Sequence, residues 1–80
     1  MRASRVRYLE KCLSILGFTD SLKAMDFVIE EMCVEKGFQR HDGSHYYYHL
    51  VDATQDLLNH GIREQNILTA CLLHDVVEDI

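Results

Sequence analysis

Eighty residues, 48% of them apolar and 26% charged, have the composition of one small folded domain and not of a disordered tail. Eight Lys and Arg stand against 13 Asp and Glu, a net charge of −5, which argues against a chain that grips nucleic-acid phosphates by bulk cationic charge. No apolar run approaches the ~20 residues of a membrane span, and the N-terminus carries no apolar signal core.

Helical periodicity runs through the chain. Val6, Leu9, Leu13 and Leu16 recur at helical spacing and predict a first helix, stopped by Gly17. Thr19 or Asp20 is the candidate cap of a second helix. Its apolar face reads as Leu22, Met25, Ile29, Met32 and Cys33, and Lys36-Gly37 ends it. A polar stretch rich in His and Tyr follows from Phe38 to Tyr48, with Asp42-Gly43 as a turn signal. The third helix is expected from about His49, with Leu50, Ala53, Leu57 and Leu58 facing inward and Gly61 closing it. The fourth runs from about Arg63, and its Ile67–Leu73 segment is apolar on nearly every side, so it reads as a buried central helix. With no proline and no sustained period-two alternation, the expected fold is all-α.

Three cysteines, Cys12, Cys33 and Cys71, show no CxxC spacing and sit among apolar neighbours. They read as buried free thiols of a cytoplasmic protein. Charge is unevenly spread. Residues 1–40 carry seven basic and six acidic groups, whereas residues 41–80 carry Arg63 alone against seven acids.

The chemistry-bearing run is His74-Asp75-Val76-Val77-Glu78-Asp79, which follows directly on the most apolar helix segment. A buried helix that presents a histidine and three carboxylates carries a large desolvation cost, which a bound cation relieves. His74 and Glu78 are four residues apart and so share a face, as do Asp75 and Asp79. Imidazole and carboxylate together suit Mn²⁺, Fe²⁺ or Zn²⁺. The bland alternative is a solvated helix C-terminus, but carboxylates there oppose the helix dipole. His49, opening the third helix after a loop, is the natural third ligand. His41, His45 and His49 form a second HxxxH series, but Asp42-Gly43-Ser44 interrupts it as a turn. His60, before Gly61, reads as a helix-end or surface residue, and Lys36 as a solvated lysine.

His49 with the pair His74-Asp75 resembles the HD-domain metal-dependent phosphohydrolases. Lys36-Gly37 and Arg40 ahead of Tyr46 and His49, then Ala70-Cys71-Leu72-Leu73-His74-Asp75 and Glu78-Asp79, narrow the resemblance to the hydrolase domain of the RelA/SpoT group. That group removes the 3′ pyrophosphate from ppGpp. The likeness spans residues 21–80. It implies an HD-like helical bundle, with residues 1–80 its N-terminal part. It also implies a divalent metal, Mn²⁺, held by His49, His74 and Asp75 and by a second aspartate beyond Ile80. Glu78 and Asp79 would handle the attacking water. Arg40 would stack on the nucleotide base, and Tyr46 would line its pocket. Consecutive tyrosines cannot share one pocket, so of Tyr46, Tyr47 and Tyr48 at least one belongs in the core.

Three family positions differ: Phe38 replaces a glutamine, and His45 and Leu50 replace prolines. These changes fall in the loop that faces substrate. They leave two alternatives beside ppGpp hydrolysis: the same chemistry on another nucleotide or phosphoester, or a non-catalytic helical module that binds a nucleotide or a partner. The apolar Ile67–Leu73 segment further implies a homo-oligomer if the piece stands alone.

Overall fold

In the computed structural model, which describes residues 3–79 and side chains 3–76, four helices carry the chain: α1 (Ser4–Leu16), α2 (Thr19–Glu31), α3 (Tyr47–Asn59) and α4 (Gln65–Asp79). A single 3-10 turn, Val34–Lys36, follows α2. The fold is all-α, and the described residues contain only one isolated antiparallel bridge, Gln39 with His45.

α1 buries Val6, Leu9 and Leu13 completely. Gly17, at φ +73°, ends it in a left-handed turn, with Gly17 N–H donating to Ser14 O and Phe18 N–H to Leu13 O. Leu16, expected on the stripe, is 36% exposed because it lies at the last turn, where it rims a shallow groove with Tyr8, Cys12 and Ile15.

The start of α2 differs from the expected local cap. Neither Thr19 nor Asp20 caps it: Phe18 occupies the cap position and contributes no side-chain hydrogen bond. The first residue of α4 takes over. Gln65 Oε1 accepts from the N–H of Asp20 at 2.8 Å and of Ser21 at 3.4 Å. One side chain thus satisfies open helix-end donors and ties α2 to α4. The seam continues with Ser21 Oγ, which lies 2.8 Å from Thr69 Oγ1 and donates to Gln65 O at 3.3 Å.

The inward face of α2 is therefore Ser21, Ala24, Met25 and Val28, with Met32 just beyond the helix end. It is rotated from the expected face, and Leu22, Ile29 and Cys33 sit half-buried at its edge. Small residues let α2 and α4 approach closely, and the paired hydroxyls remove the cost of burying Ser21. α2 also stops at Glu31, short of the expected Lys36-Gly37 end. The reason is His45, whose Nδ1 accepts the Val34 N–H at 2.8 Å and diverts the chain into the 3-10 turn.

α3 begins at Tyr47, two residues before the expected start. It buries Tyr47, Leu50, Val51, Thr54 and Leu58, while Ala53 and Leu57 are half-buried. Thr54 is accommodated inside because its hydroxyl donates to Leu50 O at 2.8 Å. Arg5 fastens α1 to α3 through Asp52 at 2.8 Å and lies 4.5 Å over the Tyr48 ring.

α4 is one-sided, contrary to the expectation of burial all round. Leu68, Leu72 and Val76 form its buried line, whereas Ile67 is 42% exposed and Ala70 is exposed. α2 and α3 pack against it and cover one flank only. The cysteines are all free, and each is half-buried.

Replacing Gln65 by Ala is expected to lower the unfolding free energy by about 1 kcal/mol, the usual cost of a lost helix cap. Leu72→Ala, deep in the core, is expected to cost about 2–5 kcal/mol. Urea titrations of the two variants check the order; an unchanged midpoint for Gln65→Ala would mean that the α2–α4 cap contributes nothing.

Candidate metal centre

The loop between the 3-10 turn and α3 folds back on itself. Arg40 N–H donates to Ser44 O at 2.8 Å, Gly43 N–H to Arg40 O at 2.9 Å, and Tyr46 N–H to Phe38 O at 3.0 Å. Asp42 ties the tip: its Oδ1 accepts from the Ser44 N–H at 2.9 Å and the Ser44 hydroxyl at 2.6 Å. This is the turn that Asp42-Gly43-Ser44 predicts, with Gly43 at φ +88°. The same two donors, the hydroxyl foremost, hold the Asp42 carboxyl below the ordinary aspartate range. His45 closes the loop, bound to Val34 and stacked on Tyr47 at 4.8 Å between ring centres.

This fold-back delivers Tyr46 and His49 to α4. His49, His74 and Asp75 each offer a donor atom, and these atoms lie within 4.8 Å of one another. Both histidines are exposed, and Asp75 is 9% exposed. Metal bonds of about 2.0–2.3 Å place opposed donors up to ~4.6 Å apart, so the three atoms stand close to the span that one cation bridges.

The tautomer of His74 fits a cation. Its Nδ1 lies 2.6 Å from Cys71 O, a pure acceptor, so Nδ1 carries a proton. In the neutral ring, Nε2 then presents a lone pair, 3.1 Å from Asp75 Oδ1. Two acceptors facing each other at that distance repel unless a proton or a cation lies with them. Backbone anchoring of one imidazole nitrogen, which leaves the other to ligate, is the arrangement metal-binding histidines adopt. The opposite carboxylate oxygen, Asp75 Oδ2, accepts a 2.7 Å hydrogen bond from Tyr46 Oη.

Against this centre lies a pocket of about 490 Å³ lined by Gln39, Arg40, His41, Asp42, Tyr46 and His49. Arg40 and Tyr46, the substrate contacts expected from sequence, both line it, and His49 belongs to pocket and centre alike. Tyr47 goes to the core, and Tyr48 lies half-buried beside Arg5. His41, His45 and His49 do not line one face, because His45 is occupied with Val34. His60 is the helix-end residue of α3, with Nδ1 2.7 Å from Asp56 O. Lys36 pairs with Glu31 at 3.3 Å, away from the pocket. The side chains of Glu78 and Asp79, the expected water-handling pair, lie outside the described residues.

Sequence reasoning missed four contributors, one of them His41, which was read only as part of an interrupted histidine series yet lines the pocket. Gln39 and Asp42 carry no motif that marks them as pocket residues, although the turn signal places them at one loop tip. The Tyr46–Asp75 bond joins residues 29 positions apart, which no local pattern encodes. No family model, curated protein or solved structure matches the chain.

Ser44→Ala is expected to raise the Asp42 pKa toward the ordinary carboxylate value, since both the hydroxyl and the local turn geometry act on the ionised form. Because the folded pKa is depressed, the turn is firmest above the unfolded aspartate pKa and loosens as pH falls through the folded one. Carboxyl-detected NMR titration of both proteins measures this; identical Asp42 curves would refute it.

Proposed function

We propose that the chain belongs to a metal-dependent phosphohydrolase of the HD-domain type that acts on a nucleotide, with ppGpp as substrate and pyrophosphate as product. The observation that supports it best is the convergence of His49, His74 and Asp75 beside a pocket that holds Arg40. Residues read from two separate motifs meet in space with donor types suited to Mn²⁺.

A divalent cation held there supplies a Lewis acid and acidifies water. The chain's own residues do the rest. Arg40 stacks its planar guanidinium on the base and fixes the nucleotide. Glu78 or Asp79 takes a proton from the attacking water. Attack at the phosphorus attached to the ribose 3′ oxygen breaks the P–O3′ bond. The oxygen leaves as a 3′ hydroxyl after receiving a proton, and pyrophosphate departs.

A second reading keeps the chemistry and changes the substrate. The carboxylate of Asp42 lines the pocket, and it is held in its ionised form. A fixed negative charge there disfavours additional phosphates and favours base or sugar donors.

The test is manganese content and hydrolysis in the protein that carries these residues, with ppGpp, deoxynucleoside triphosphates and cyclic nucleotides as substrates. His74→Ala and Asp75→Ala are expected to lose both metal and turnover. Glu78→Gln is expected to keep metal and lose about 10²–10⁴ in kcat. Arg40→Ala is expected chiefly to raise KM. A wild-type protein that binds no manganese and hydrolyses none of the panel defeats the proposal; turnover of another nucleotide but not ppGpp selects the second reading.

A further inference from the structure

We infer that Tyr46 is a positioning residue for the metal ligand Asp75, beyond its place in the substrate pocket; the inference rests on the metal-centre reading above. Tyr46 Oη donates to Asp75 Oδ2 at 2.7 Å, while Asp75 Oδ1 faces His74 Nε2 at 3.1 Å. One carboxylate oxygen is thereby committed to the phenol, and the other is aimed at the donor cluster. Without the phenol, the carboxylate could turn about its terminal torsion, which is broad and nearly two-fold. The bond also crosses from the start of α3 to α4, so it fixes the distance between His49 and the His74-Asp75 pair, which no single helix sets.

Tyr46 is itself well held. Its N–H donates to Phe38 O, its ring packs edge-on to His49 at 5.8 Å, and the next residue, Tyr47, is buried. The phenol is therefore a fixed donor and not a swinging one. Its hydroxyl points at the ligand carboxylate while its ring borders the pocket, so substrate space and metal geometry share one side chain. Hydrogen bonds of this kind, from an outer group to a metal-binding carboxylate, typically govern metal affinity by 10–100-fold.

The experiment is Tyr46→Phe, which keeps the ring and removes only the hydroxyl. Mn²⁺ affinity is measured by calorimetry, and the visible spectrum of the Co²⁺-loaded protein is recorded for both forms. The expected result is a 10–100-fold weaker Mn²⁺ affinity for Tyr46→Phe, with a shifted Co²⁺ band and an unchanged far-ultraviolet dichroism spectrum. Metal affinity and Co²⁺ spectrum equal to wild type, with only the nucleotide KM raised, would make Tyr46 a substrate contact and overturn the inference while leaving the metal centre standing. No Mn²⁺ binding by the wild type would overturn both. As a control, Tyr48→Phe, whose ring lies beside Arg5 on the α1 side, is expected to leave metal affinity within twofold; an equal loss there would show a general loosening of α3 and would also overturn the assignment.

Discussion

A carboxylate withdrawn from water is the constraint around which the functional end of this chain is organised. Asp75 is 9% exposed and lies on the same helix as Leu68, Leu72 and Val76, the line that buries α4. An ionised group in that position needs donors or cations at contact distance. The phenol of Tyr46 provides one donor, and His74 faces the second oxygen. To bring that phenol within 2.7 Å, the start of α3 must lie against α4, and the loop before it must double back. Burial of one acid thus dictates the approach of two helices and the shape of the connection between them.

What places α4 deep enough to withdraw Asp75 is its seam with α2. Ser21, Ala24 and Thr69 are small enough for close contact, and Gln65 closes the open end of α2. Such a seam uses polar side chains inside the structure. It succeeds because each hydroxyl and amide oxygen there has a partner, and an unpaired buried group of the same kind would cost about 1–3 kcal/mol. The same logic explains Thr54 in α3, which returns its hydroxyl to Leu50 O. Apolar packing through Met25, Val28, Leu50 and Leu72 supplies the driving force, while these paired polar groups choose the register.

The helices themselves were readable from spacing, because three- and four-residue apolar steps and the glycines at positions 17 and 61 are local signals. Which face turned inward was less readable. In α2 the expected face contained Leu22 and Ile29, yet Ser21 and Ala24 lie inside, since hydroxyl pairing to a distant Thr69 outweighs intrinsic hydrophobicity. In α4 the apolar Ile67–Leu73 segment suggested burial on every side, but only three other helices are present among the described residues to cover it. The centre was legible where motif residues lie close in sequence, as His74 and Asp75 do. The Tyr46 hydroxyl, the His45 bond to Val34 and the presence of Asp42 in the pocket depend on chain reversal, and hydropathy and spacing carry no record of it.

The loop's fastening also explains how a short, glycine-containing segment can hold the shape of a pocket. It is tied by His45 to Val34 at its base, by Tyr46 to Phe38 and Arg40 N–H to Ser44 O across it, and by Asp42 to Ser44 and Gln39 to Gly43 at its tip. Each tie uses backbone or the side chains of Gln39, Asp42, Ser44 and His45. None uses the side chains of Arg40 or His41, which line the pocket. The Arg40 guanidinium faces the Asp42 carboxyl of the same loop and helps to hold it in its ionised form. Any ligand that meets Arg40 in this pocket therefore meets it beside an acid of the same loop. The loop's ordering cost falls on folding rather than on binding, whatever ligand the pocket takes.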